Sequence, residues 1–96
     1  MKVSAIIQER ISSIWIKPNS LSESLIAKVL INLAPSGEIL NFNLIEPSSN
    51  TSFNESILTA MNKITFFEEV LPLERKLFEQ NFRNFNLVFK SSGEIE

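Results

Sequence analysis

The sequence predicts an α+β fold, a three-stranded antiparallel sheet with helices packed on one face. Three observations lead there. Apolar residues recur at spacings of three and four in two long segments, they alternate with period two in three others, and a turn carrying proline and glycine joins two of the alternating segments. With 96 residues, 44% of them apolar, eight Phe and one Trp, the chain can build one core and therefore one domain, residues 1–96. No internal repeat and no second domain is visible.

The first element is a helix from Lys2 to Trp15, where Val3, Ile6, Ile7, Ile11, Ile14 and Trp15 share a face opposite Gln8, Glu9, Ser12 and Ser13. It ends before Pro18, which disfavours helical geometry at Lys17, and a loop follows from Lys17 to Ser24. Leu25, Ala27, Val29, Ile31 and Leu33 then alternate with Ile26, Lys28, Leu30, Asn32 and Ala34, which predicts a strand with one wholly apolar face. The turn "APSG", Ala34 to Gly37, returns the chain as a hairpin into a second strand over Glu38 to Glu46, with Leu40, Phe42 and Leu44 on one side and Asn41 and Asn43 on the other.

Pro47 stops that strand, and the polar stretch "SSNTSFNESILTAM" begins the next helix. Ser52 with Glu55 three residues later predicts a capping box, and Ile57, Leu58, Met61 and Ile64 continue one face until Thr65 or Phe66. Asn50-Thr51-Ser52 and Asn54-Glu55-Ser56 also fit the glycan acceptor pattern, but that short pattern recurs wherever Asn and Ser abound, and capping accounts for Ser52 and Glu55 together. "LPLERKLFEQ" gives a shorter helix begun near Pro72. "FRNFNLVFK" gives a third strand with Phe85, Leu87 and Phe89 on one face, and the polar tail Ser91 to Glu96 is expected to fray.

Composition removes several function classes. The chain has no Cys, no His and no Asp, so the commonest metal ligands, the Cys and Ser-His nucleophile systems and the usual neutral-pH base are absent; no catalytic, metal-binding or cofactor-binding residues are assigned. A net charge of −2 with scattered Lys and Arg leaves no basic stripe for nucleic acid. No window reaches the eighteen apolar residues that a membrane span needs. Glu68 and Glu69, with Glu74 and Glu79, are the one dense carboxylate group, and a solvated surface is the better reading of them. Trp15 suits either the core, by its register, or a partner surface, by its type.

The third strand is the sharper functional candidate. As the last strand it falls at a sheet edge, where unpaired N–H and C=O groups template an incoming chain. Two arrangements stand side by side: a bare edge, or one covered by the first helix or the tail.

In order and spacing, these segments resemble the C-terminal domains of the cell-envelope energy transducers TolA and TonB of Gram-negative bacteria. That family opens with an amphipathic helix ending in an aromatic residue and proline, as in "IIQERISSIWIKP". An alternating strand, a glycine turn and a second strand follow, as in "AKVLINLAPSGEILNFNLIE". A Ser-Ser-Gly, Phe-Asp segment comes next, matched by "SSNTSFNESILTAM" with Asn50 for the glycine and Asn54 for the aspartate. A Phe-rich ending closes it, as in "LFEQNFRNFNLVF". The Trp before the proline and this ending favour the TolA branch.

The resemblance implies a non-enzymatic, periplasmic interaction module of the Tol-Pal cell-envelope integrity system, monomeric in isolation. Its parent would be held in the inner membrane by an N-terminal helix on which TolQ and TolR act. It further implies that the N-terminal segment of TolB adds as a strand beside the last strand, at Phe82, Asn84, Phe85, Asn86, Leu87, Val88 and Phe89, and that colicins and filamentous phage coat proteins use the same domain. The alternatives are a TonB-like coupler that grips outer-membrane transporters by the same edge and, from another class, a small enzyme, which the missing His, Cys, Asp and Tyr disfavour.

Overall fold

The most apolar alternating segment takes the centre of the sheet. In the computed structural model, which describes residues 2–18 and 24–96, the elements are α1 (Lys2–Ile14), β1 (Ile26–Leu33), β2 (Ile39–Glu46), α2 (Thr51–Asn62), a 3₁₀ turn (Glu68–Val70), α3 (Arg75–Asn81) and β3 (Asn84–Lys90). The sheet order is β2-β1-β3 with both pairings antiparallel. Much of the loop expected over Lys17 to Ser24 lies outside the described residues. β1 can be central because its alternate residues Ala27, Val29, Ile31 and Leu33 are all fully buried on the face that carries the helices. The other face is polar: Asn32 stands between Asn41 and Asn84, and Leu30 between Asn43 and Asn86.

Ile7 and Ile11 of α1, Phe53, Ile57, Ala60 and Met61 of α2 and Phe78 of α3 complete one core with Leu87 and Phe89 of β3. Trp15, just past the end of α1, settles into it. Its ring meets Phe53 and Phe89 edge-on with centroids 5.8 and 5.1 Å away, and its indole N–H donates to Ser56 Oγ at 3.0 Å, so the polar tip is satisfied in a buried place. The core reading of Trp15 therefore holds. Ile6, by contrast, is 45% exposed on the flank of the helix.

Several boundaries move from their expected places, each for a local reason. Asn32 pairs with Asn41 but Leu33 pairs with Ile39, so Leu40 is an extra residue in a bulge; Ile39 packs on the core and Leu40 turns to solvent, 61% exposed. The cap of α2 is Asn50 rather than Ser52. The Asn50 side chain accepts from the Phe53 N–H at 2.9 Å, and Glu55 points outward. Asn54 holds the approach in place: its Oδ1 accepts from the Ser48 N–H at 2.8 Å and from the Ser48 hydroxyl at 2.7 Å, and its amide donates back to the Ser48 carbonyl at 3.0 Å.

α2 ends at Asn62, earlier than expected, because the next residues are drawn out to the hairpin: Ile39 N–H donates to Thr65 C=O at 2.9 Å and Phe67 N–H to Gly37 C=O at 2.7 Å. α3 starts at Arg75, not Pro72, which lies in the turn after the 3₁₀ segment. Glu69, from the dense carboxylate group, is committed to Arg10 of α1 at 2.9 Å, whose guanidinium also stands 5.7 Å from the Phe67 ring centroid.

Candidate functional site

β3 pairs with β1 over seven consecutive residues, from Ile26 opposite Lys90 to Asn32 opposite Asn84. Its far side is the sheet edge. Val88 uses both backbone groups on that side, donating to and accepting from Glu96 at 2.8 Å each, and Lys90 N–H donates to Glu94 C=O at 2.9 Å. Alternation along an antiparallel ladder turns the N–H and C=O groups of Asn84 and Asn86 outward as well, and those of Phe85, Leu87 and Phe89 toward β1. Among the described residues the edge is thus divided: open at Asn84 and Asn86, occupied at Val88 and Lys90.

The occupant is the tail. Expected to fray, residues 91–96 instead turn back through Ser91, Ser92 and Gly93 and run antiparallel to the end of β3, bringing Ile95 opposite Phe89. Gly93 makes the turn possible with a φ of 101°, its N–H donating to Lys90 C=O at 2.9 Å. Ser91 ties the turn to the start of β1, donating its N–H to Leu25 C=O at 3.0 Å and accepting the Leu25 N–H on its hydroxyl at 2.9 Å. Ile95 packs against the core, and Lys90 Nζ meets the Glu96 carboxylate at 3.0 Å.

A sequence signal for this pairing existed. Ser-Gly-Glu-Ile occurs twice, at Ser36–Ile39 and at Ser92–Ile95. Both copies close the same three-residue hairpin loop: Ala34 N–H to Glu38 C=O at 2.9 Å and Gly37 N–H to Ala34 C=O at 2.8 Å repeat the bonds made by Lys90, Glu94 and Gly93. In both, the serine hydroxyl stands 3.4 Å from the glutamate N–H. In both, the isoleucine turns to the core.

The seven residues singled out in the sequence fall into two sets. Asn84, Asn86 and Val88 present the outward backbone groups. Leu87 and Phe89 bury their side chains, and half-buried Phe85 lies edge-on to buried Phe82 with centroids 5.7 Å apart. Phe82, which follows α3, is not on the strand itself. Beside the open part of the edge, Ser4, Ile7 and Gln8 of α1 with Asn81, Phe82, Phe85, Asn86 and Leu87 enclose a pocket of about 90 Å³. It is large enough for a small apolar side chain from a chain lying along β3.

A larger, shallower groove of about 880 Å³ lies at the opposite edge, between β2 and the end of α2, walled by Leu40, Phe42, Met61, Ile64 and Phe66. Nothing in the sequence reading pointed to it; the bulge at Leu40 that helps to form it is a matter of register. Among the described residues there is no group of three or more carboxylates that could hold a metal ion, and no helix is long and apolar enough to cross a membrane.

This arrangement defines a class: a small α+β domain whose helices cover one face of a three-stranded antiparallel sheet and whose last strand keeps part of its edge open. Residues 2–86 match the family model described as TonB C terminal, and the chain belongs to that family. The Tol-Pal system protein TolA of Pseudomonas aeruginosa is 28% identical over 80 residues, which are 83% of this chain and 23% of that protein. The solution NMR structure of TolAIII bound to a peptide derived from the N-terminus of TolB has a similar fold, with a TM-score of 0.77 and 26% identity over 92% of this chain and 70% of that one. The chain therefore spans about a quarter of the curated relative's length.

Proposed function

We propose that this domain is a periplasmic protein-interaction module of a Tol-Pal type cell-envelope system, and that it receives the N-terminal segment of TolB as a strand added to the outer edge of β3. The observation that carries the reading is the edge itself: outward N–H and C=O groups at Asn84 and Asn86 beside a pocket between α1 and β3 that suits a side chain of the added strand. The solved relative that holds a TolB-derived peptide supports the choice of partner. In this reading Asn84 and Asn86, and Val88 where Glu96 gives way, bond the partner's backbone, while Phe82, Phe85, Leu87 and Phe89 form the wall and floor against which its alternate side chains rest. The parent protein is anchored in the inner membrane, with TolQ and TolR acting on the anchor, and colicins or phage coat proteins are further users of the same surface.

The test is a titration of the isotope-labelled domain with a TolB N-terminal peptide, followed by amide chemical shifts. The expected result is that the largest changes map to Phe82–Lys90 and to Ser4, Ile7 and Gln8. Changes confined to Ile39–Glu46, or none, would remove β3 from the reading. A second reading, a TonB-like coupler, is favoured by the family model itself; competition between the TolB peptide and a transporter's N-terminal peptide separates the two.

A further inference from the structure

The edge on which the proposed function depends is already half filled, by this chain. Glu94, Ile95 and Glu96 lie where the continuation of an added strand has to lie: they hold both outward groups of Val88 and the N–H of Lys90, and Ile95 occupies the core-facing position opposite Phe89. A partner that leaves them in place can pair with Asn84 and Asn86 alone. A partner that removes them gains both outward groups of Val88 and the Lys90 N–H as well, which lengthens the ladder.

We propose that the segment Glu94–Glu96 is a built-in, displaceable occupant of the partner's strand position, so that recognition at β3 is an exchange of this strand for the partner's. The inference rests on the strand-addition reading above and adds to it what the partner must replace.

The segment is suited to leaving. It is held by three backbone hydrogen bonds, one half-buried isoleucine and one surface ion pair, Lys90 to Glu96, with the acid's side chain 57% exposed. Surface pairs of this kind contribute little, and an arm with so few paired residues belongs to the low-stability end of a structure that opens locally. Its departure leaves the seven β1–β3 pairs untouched.

The same contacts describe the partner. The exchange requires an extended segment, free of proline where it meets Val88 and Lys90, with an apolar side chain that takes the place of Ile95 over Phe89. A groove between α1 and the tail, walled by Ala5, Gln8, Glu9 and Ser12, continues past Ile95 and could receive a larger side chain than isoleucine.

Two variants of the 96-residue chain test the exchange with the TolB peptide as probe. Val88→Cys with Glu96→Cys introduces the sole pair of thiols in a chain that has no cysteine. The two sites are a hydrogen-bonded antiparallel pair, about 5.5 Å apart at Cα and so within disulfide reach. Oxidation pins the tail; peptide affinity should fall at least tenfold and return on reduction. Ile95→Asp should loosen the tail and tighten binding several-fold, and in the wild-type complex the Ile95 and Glu96 amides should move to random-coil positions.

Wild-type-like binding by the oxidised pair, with the usual shifts along β3, overturns the proposal, as does an Ile95→Asp protein that binds no tighter than wild type. If no form of the protein binds the peptide, the strand-addition reading itself fails and the exchange with it. The disulfide arm stands whether or not the Ile95→Asp variant folds.

Discussion

The two hairpin glycines offer a controlled comparison of strain and crowding. Gly37 and Gly93 sit at the same place in the same loop, with φ of 89° and 101°. Alanine at either site suffers left-handed strain of roughly 1–2 kcal/mol. They differ in what surrounds them. A Cβ on Gly37 would run into the backbone carbonyl of Phe67, with the carbonyl carbon at 2.9 Å and Val70 Cγ2 at 3.3 Å, whereas one on Gly93 meets, among the described residues, Lys17 Nζ alone, at 3.7 Å.

Gly37→Ala must therefore push the Thr65–Phe67 segment away and weaken two backbone hydrogen bonds, Phe67 to Gly37 and Ile39 to Thr65. At about 0.5–1.5 kcal/mol each, these bring its cost to about 2–5 kcal/mol. That is a fall of about 8 °C or more in the midpoint of a domain this size. Gly93→Ala bears the strain alone and can relieve it by releasing the tail, so its shift should be less than half as large. Thermal unfolding followed by circular dichroism measures both. Equal shifts would refute the argument that the close approach of Phe67, and not the turn conformation alone, requires glycine at position 37.

Other expectations follow from single contacts. Asn50→Ala should cost about 1 kcal/mol in urea unfolding by removing the cap of α2, while Ser52→Ala and Glu55→Ala stay within about 0.5 kcal/mol; the reverse order would restore the Ser52 capping box. Trp15→Ala empties a buried site between Phe53 and Phe89 and should cost about 3–5 kcal/mol in the same measurement. Asn86→Pro deletes a single outward N–H, a substitution that an edge strand tolerates. It should weaken TolB peptide binding several-fold by calorimetry with little change in midpoint, and unchanged affinity would argue against pairing at this position.

The parts of the fold legible in the sequence were those set by period. The alternation Leu25 to Leu33 placed β1 and its buried face, the spacing of Ile7, Ile11 and Trp15 placed α1, and Phe85 to Phe89 placed β3. What escaped was decided by competition between equivalent local choices. Asn50 and Ser52 are both good caps two residues apart, and the bonds between Ser48 and Asn54 settle where the helix begins. Alternation assigns Leu40 to the core, but a bulge beside the hairpin gives that place to Ile39. The tail reads as polar and loose because a single apolar residue, Ile95, marks it. Its pairing depends on a turn whose signature, Ser-Gly-Glu-Ile, is informative once compared with its first copy. The edge was therefore legible as a location and its cover by the tail as one of two alternatives, but which of its residues the tail takes was not.

The position of Trp15 has a practical consequence. The chain has one Trp and no Tyr, so its intrinsic near-ultraviolet emission comes from a single indole, which lies 8% exposed with its ring against Phe89 of β3. That indole is a resident spectroscopic reporter on the inner side of the strand whose outer side is proposed to recruit a partner. Its emission should red-shift when the domain unfolds and keep its wavelength when a peptide docks on an undisturbed sheet, so one fluorescence trace distinguishes ligands that use this scaffold from agents that dismantle it.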